Sequence, residues 1–294
     1  MSYQFHIVDV FAEKLYTGNP LAVVIGEVLP SEEVMQNIAA EMNFSETTFV
    51  SPMLEKDGGY QVRIYTPSKE LAFAGHPILG TAHVLRRQIH TEACSEIKLN
   101  LMNSQVSVTF ELEDDGKEVV WFLAPEMKLG ALANIEPVAH ALGITSDDID
   151  TRAPLQVISA GTSAMIVPLR SLEVLRTCKL DLERYSALLA DGFPPLIYLF
   201  TQQTHHSKND LCARFFFEAH GVREDPATGN GAAFLGAYLL EHDYYSEADL
   251  SLRIEQGYEV RRPSLVRLRA KIDKGHREVL VGGNVLSVVD GELL

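Results

Sequence analysis

The residues able to do chemistry gather at two glycine-rich helix starts and at one helix-to-strand junction. Gly75-His76-Pro77 opens the first helix and Asp225-Pro226-Ala227-Thr228-Gly229-Asn230 opens the second. A helix that begins in such a turn presents backbone N–H groups without intrahelical partners, at the positive end of its dipole. Two of them directed at one cleft would hold a small carboxylate or another anion. Gly75 and Gly229 are equally compatible with a turn that only needs close packing, so that reading stays open. Glu46 lies in Asn43-Phe44-Ser45-Glu46-Thr47-Thr48-Phe49. Flanked by Phe44 and Phe49, its carboxyl group would be partly desolvated, which raises the pKa towards a value useful for proton transfer. The alternative is an ordinary surface glutamate, since few glutamates are catalytic. Asp225, before Pro226, is also well placed to cap the helix that follows.

Other chemistries find little in the sequence. Neither helix start fits GxxxxGK[ST] or GxGxxG, so nucleotide cradles are disfavoured. His205-His206 falls in a polar stretch, Thr201 to Asp210, and reads as a solvated loop. His76 and His83 share a helix without a carboxylate at ligand spacing, and no HExxH occurs, so no metal is expected. Three scattered cysteines, Cys94, Cys178 and Cys212, exclude a disulfide framework and fit a reducing cytoplasm. The N-terminal Met1 to His6 lacks the basic and apolar regions of a secretion signal. Lys and Arg total 25 against 40 Asp and Glu, a net charge of −15. That balance argues against nucleic acid as a partner, because phosphate binding needs a basic face. No run approaches the ~18 apolar residues of a membrane span.

The elements that must position these residues are mostly strands. Of the 294 residues, 46% are apolar, enough for a sizeable core, and the length suggests two domains. Phe5 to Phe11, Leu21 to Ile25, Thr47 to Val50, Tyr60 to Tyr65, Ser104 to Glu111 and Glu118 to Phe122 read as strands by alternation or composition. Pro30-Ser31 opens a helix with Ser31 as cap, Glu32 and Glu33 in its first turn, and an apolar stripe at Val34, Ile38 and Met42. Ala74 to Leu85 and Asp225 to Leu240 differ: both continue as helices that are small or apolar almost all round. Helices without a polar face must be enclosed, here by strands of the same chain.

A faint internal repeat accompanies the two helices. Gly18-Asn19-Pro20-Leu21-Ala22-Val23-Val24 matches Gly161-Thr162-Ser163-Ala164-Met165-Ile166-Val167, Arg63-Ile64-Tyr65 matches Arg214-Phe215-Phe216, and Gly75 matches Gly229. The offsets are 143, 151 and 154 residues, in the same order. They suggest duplicated halves, each a set of strands around one central helix, dividing near Asp114 to Gly116 or just after the next strand.

Gly18-Asn19-Pro20, Ser45-Glu46-Thr47, Gly75-His76-Pro77 with Gly80-Thr81-Ala82, and Glu224-Asp225-Pro226-Ala227-Thr228-Gly229 together resemble the PhzF family of phenazine-biosynthesis-like proteins. Glu255-Gln256-Gly257, Arg262-Pro263-Ser264 and Val281-Gly282-Gly283 extend the likeness over nearly the whole chain. The resemblance implies an α+β, diaminopimelate-epimerase-like fold: two pseudo-repeated lobes, each a barrel-like sheet wrapped around a central apolar helix. The lobes implied are 1–116, with 283–294 returning to it, and 117–282, with the active site in the cleft between them. It further implies a homodimer, no metal or organic cofactor, and isomerisation of trans-2,3-dihydro-3-hydroxyanthranilate by a proton shift. Glu46 would be the acid/base, His76, Asp225 and Asn230 would contact the substrate, and backbone N–H groups around Gly75 and Gly229 would hold its carboxylate. Thiol-dependent racemases on this fold carry a cysteine at each helix entrance. Ala74 and Thr228 stand there instead, which excludes a two-thiol racemase. The chain departs from the family pattern at Asn230, commonly Ser, and at Arg261, often Gly. Two further readings remain: a lyase or tautomerase acting on another amino or hydroxy acid, and a non-catalytic dimeric metabolite-binding protein.

Overall fold

Each half of the chain runs the same path of strands around one apolar helix. The computed structural model describes residues 2–89, 94–113, 116–216, 218 and 223–294. It forms two compact units, Met1–Leu123 with Val281–Leu294, and Ala124–Leu280. Of the division expected at Asp114 to Gly116, Asp114 and Asp115 lie outside the described residues. No helix among the described residues is long and apolar enough to cross a membrane.

The first unit contains β1 (Tyr3–Val10), β2 (Asn19–Ile25), α1 (Glu32–Met42), β3 (Glu46–Leu54), β4 (Gly59–Tyr65), β5 (Glu70–Leu71), α2 (Gly75–Ile89), β6 (Glu96–Asn100), β7 (Gln105–Leu112) and β8 (Glu118–Leu123). The second contains β9 (Lys128–Leu132), α3 (Ile135–Ala141), β10 (Gln156–Ala160), β11 (Thr162–Pro168), α4 (Leu172–Thr177), α5 (Leu182–Ala190), β12 (Leu196–Thr201), β13 (Leu211–Phe216), β14 (Glu224–Asp225), α6 (Gly229–Glu241), β15 (Asp249–Gln256) and β16 (Ser264–Asp273). β17 (His276–Gly283) leads the chain back to the first unit, where β18 (Val285–Leu293) pairs antiparallel with β1.

The pairings repeat step for step. β2 lies antiparallel to β1 and parallel to β3, as β11 lies antiparallel to β10 and parallel to β12. β4 is antiparallel to β3 and β5 and parallel to β6; β13 is antiparallel to β12 and β14 and parallel to β15. The residues that carried the sequence repeat occupy equivalent places. Gly18 and Gly161 both have φ of +73°, the left-handed conformation that ends one hairpin strand and starts the next.

The central helices are enclosed as their sequences require. α2 is buried from Gly75 through Ala82 and packs on β1, β2, β3, β6, β7, β8 and β18. α6 is buried from Gly231 through Leu240 and packs on β10, β11 and β16. Close approach depends on glycine in both: a Cβ at Gly80 would come within 2.5 Å of the Leu21 side chain, and one at Gly231 within 2.5 Å of the Tyr198 ring. Both distances are shorter than side-chain carbons tolerate, so these positions fix the depth of each helix.

One helical face differs from expectation. α1 starts after Ser31, whose Oγ accepts from the Val34 N–H at 3.4 Å. However, Met35 and Ala39 are its buried residues, and Val34 is exposed. The inward stripe is rotated by one residue from Val34–Ile38–Met42, because the small Ala39 and not a larger neighbour meets the sheet.

Candidate active site

In the first unit the junction between α1 and β3 sets Glu46. Asn43 closes α1 in the left-handed conformation (φ 52°), and Glu46 then starts β3 opposite Leu21 of β2. Glu46 is 5% exposed. Oε2 of Glu46 lies 3.5 Å from Nδ1 of His76, the second residue of α2. Asn19, fully buried at the start of β2, brings its Nδ2 to 3.3 Å from the same Nδ1. The Thr48 and Thr81 hydroxyls are hydrogen-bonded at 2.8 Å, two residues along β3 from Glu46 and five along α2 from His76, and hold β3 against α2. Gly18 places Asn19: its positive φ directs the chain into β2 where a Cβ would strike the Val10 carbonyl.

Burial lowers the His76 pKa to about 3, so the imidazole is uncharged near neutrality. Its Nε2 is buried and has no hydrogen-bond partner among the described residues. A neutral ring beside Glu46 does not offer the full positive charge that would make the carboxylate a weak base. One ring nitrogen, Nδ1, faces Asn19 and Glu46.

In the second unit the entrance of α6 is built from four polar side chains. Asp225, 2% exposed, pairs with Phe215 through β14. Thr228, the N-cap of α6, donates its hydroxyl to Asp225 Oδ2 instead of capping the helix. Gln256, at the end of β15, donates from Nε2 to the Asp225 carbonyl (2.9 Å) and to Thr228 Oγ1 (3.2 Å). Its Oε1 accepts from the Thr228 N–H (3.4 Å) and from the Tyr198 hydroxyl (3.5 Å). Asn230, the second residue of α6, keeps a buried Oδ1 without a hydrogen-bond partner among the described residues. With Gly229 and Gly231 on either side, this first turn has backbone N–H groups that lack intrahelical partners.

Thus Gly75, His76 and Glu46 come together in one unit, and Asp225, Gly229 and Asn230 in the other. Asn19, Gln256 and Tyr198 were not singled out from sequence. Asn19 and Gln256 sit in short motifs that the family likeness includes, but their partners are set by long-range strand pairing. No cysteine stands at either entrance. Cys178 and Cys212 are buried, and burial pushes the Cys178 thiol up to about 12. Arg261, where the family pattern often has Gly, adopts φ of 60°, a conformation that suits glycine better.

The solvated reading of His205 needs correction. Only His206 of the pair is exposed. The His205 ring stacks on Tyr258 with centroids 3.9 Å apart and planes 7° from parallel. A ring nitrogen of His205, the Cys212 thiol and a Glu255 carboxylate oxygen all lie within 4.8 Å of one another. Residues 205, 212 and 255 meet because β13 and β15 pair in parallel with Cys212 beside Glu255, a register that spacing along the chain cannot show.

Comparison with known proteins agrees with this architecture. The family model described as phenazine biosynthesis-like protein (PhzC-PhzF) matches residues 8–291, and the chain belongs to that family. An uncharacterised isomerase of Pasteurella multocida is 33% identical over 294 residues, covering 99% of this chain and 94% of that protein. The trans-2,3-dihydro-3-hydroxyanthranilate isomerase of Pseudomonas aeruginosa is also 33% identical, covering 98% of each. Among solved structures, a PhzF family protein of Bacillus anthracis superposes with a TM-score of 0.91 at 24% identity, over 100% of this chain and 99% of that one. A hydroxyproline epimerase of Agrobacterium vitis shares the fold more distantly, with a TM-score of 0.63 at 11% identity, over 99% and 92% of the two chains.

Proposed function

We propose that this protein is an isomerase that moves a proton between carbons of a small carboxylate, trans-2,3-dihydro-3-hydroxyanthranilate or a close analogue, with Glu46 as the single acid/base. The observation that carries this reading is the buried Glu46 carboxyl group beside an uncharged His76. Plain binding of a carboxylate has no use for a further acidic group in a desolvated pocket. Carbon-proton transfer requires one, within hydrogen-bonding reach of both carbons. Glu46 takes the proton from one carbon and returns it to another on the same face.

The remaining groups orient the substrate. Nε2 of His76 binds a polar substituent, because a buried imidazole nitrogen without a protein partner is costly until a ligand satisfies it. Asp225, held by Thr228 and Gln256, binds an amino or hydroxyl group. First-turn N–H groups at a helix entrance such as that at Gly75 are donors suited to a carboxylate and to the negative charge that develops as the proton leaves. The names of the relatives support isomerisation as the reaction class. Asn230 favours a substrate variant of its own: its buried Oδ1 is an acceptor only, so it calls for an N–H or O–H on the ligand that a serine could have served in either sense.

Proton NMR in deuterated water tests the proposal. The protein is incubated with dihydrohydroxyanthranilate and a panel of small amino and hydroxy acids. Loss of a C–H signal or a shifted double bond identifies carbon-acid chemistry and the substrate class. Ligand-induced thermal stabilisation with no exchange on any stabilising compound would make it a binding protein instead.

A further inference from the structure

The second unit holds a cluster that the proposed reaction does not use. His205, Cys212 and Glu255 bring one nitrogen, one sulfur and one oxygen donor within 4.8 Å of one another. We propose that these three side chains form a zinc site that fastens the 202–210 segment to the β13–β15 pair.

Each donor is prepared for a metal. Glu255 is 1% exposed, and its two oxygens are used unequally. Oε1 accepts from the His206 N–H (2.8 Å) and from Asn209 Nδ2 (2.7 Å), whereas among the described residues Oε2 accepts only from the His205 N–H (2.6 Å). A carboxylate oxygen has two lone pairs, so Oε2 retains one. Three N–H donors also fix the carboxylate, as outer hydrogen bonds fix ligands in metal sites. His205 is held by its stack on Tyr258, and its Nε2 is buried without a hydrogen-bond partner among the described residues. Cys212 is 1% exposed and stands beside Glu255 in the parallel register.

The first unit shows that the fold does not demand this cluster. Matching Arg63 to Arg214 in β4 and β13, and following the parallel registers, the positions of Cys212 and Glu255 correspond to Gln61 and Asn100. Asn100 there donates to Glu55 and Asp57 on an exposed turn, with no thiol or imidazole involved. The donor set chooses the ion: one thiolate, one imidazole and one carboxylate suit zinc with water in its fourth position, whereas magnesium and calcium prefer oxygen throughout. Binding forms a Zn–S bond and breaks the S–H bond, the proton passing to solvent.

The test titrates chelator-treated full-length protein with Zn²⁺ alone by calorimetry and with Co²⁺ by absorbance. One ion per chain, a thiolate-to-cobalt charge-transfer band, and a binding heat that varies with buffer as a proton is released are expected. Cys94→Ser should keep all three, and Cys212→Ser should lose the band. A wild-type protein without the band, or a band that survives Cys212→Ser, overturns the proposal. His205→Gln at a half-buried position supplies a second check: a folded variant with undiminished Co²⁺ affinity would also overturn it.

Discussion

The two halves share a path but carry different side chains at their helix entrances. Arg63 of β4 pairs with Glu70 of β5 at 2.7 Å, five residues before Gly75. Arg214 of β13 pairs with Glu224 of β14, also at 2.7 Å and five residues before Gly229. The same strand hairpin therefore delivers the chain to each central helix. Between those fixed points the side chains diverge. Leu71, Ala74 and His76 in the first half stand where Asp225, Thr228 and Asn230 stand in the second. Glu46, at the first position of β3, answers to Leu196 at the first position of β12. The duplicated fold supplies two equivalent helix entrances, and a few substitutions place Glu46 and His76 together at one and Asp225, Thr228 and Asn230 at the other; the proposed function assigns proton transfer to the first.

Breaking that division should show first in turnover. Glu46→Gln should lower kcat on the order of 10³-fold, the usual contribution of a general acid/base, with the fold and ligand affinity retained. Asp225→Asn should instead raise KM roughly tenfold, as loss of one charge-assisted contact does, measured under steady-state conditions.

The shared Arg–Glu pairs sharpen the comparison in stability. Arg214 and Glu224 have side chains 7% exposed each, and Arg214 also donates to the Leu175 and Cys178 carbonyls. Arg214→Met leaves a buried carboxylate uncompensated and should cost about 3 to 5 kcal/mol in denaturant unfolding. Arg63 and Glu70 are 23% and 19% exposed, so Arg63→Met should cost about 1 kcal/mol. Equal losses would mean that the difference in burial between the two pairs does not set what each contributes.

Two buried histidines of the first half should contribute to the effect of acid. Burial lowers His76 to about 3, and burial with the Arg87 and Arg86 charges lowers His83 to about 4. The unfolded chain takes up these protons already below about 6.5, so unfolding binds protons in the window between. Stability contributed by the two neutral rings is fully present above about 6.5 and lost as pH falls through the folded values. Urea midpoints should therefore decline from about pH 6.5 to about pH 4, and His83→Gln should decline less. The smallest effect belongs to Arg261. Relief of its positive φ by Arg261→Gly should stabilise the protein by about 0.5 to 1 kcal/mol, read as a raised melting temperature.

Much of the fold was legible because its signals are local. Two helices lacking a polar face announced their enclosure, and Gly18, Gly161, Arg63 and Arg214 marked a repeat that strand pairing reproduces. The α1 stripe was displaced because Ala39 carries little hydrophobic signal yet sits at the contact. Glu46, His76 and Asp225 were nominated through residue type and family likeness. Asn19 and Gln256 escaped because what they do depends on partners 57 and 28 to 58 residues away. The likeness of Cys212 and His205 to unrelated loop and core residues hid them for the same reason: the parallel β13–β15 register has no trace in local spacing.

The most direct test of the divided chemistry follows solvent deuterium into the carbon skeleton of a turned-over substrate, comparing wild type, Glu46→Gln and Asp225→Asn at saturating concentration. Exchange should vanish in Glu46→Gln and persist in Asp225→Asn. Exchange that survives without the Glu46 carboxylate, or that falls equally in both variants, would contradict the assignment of proton transfer to the first half.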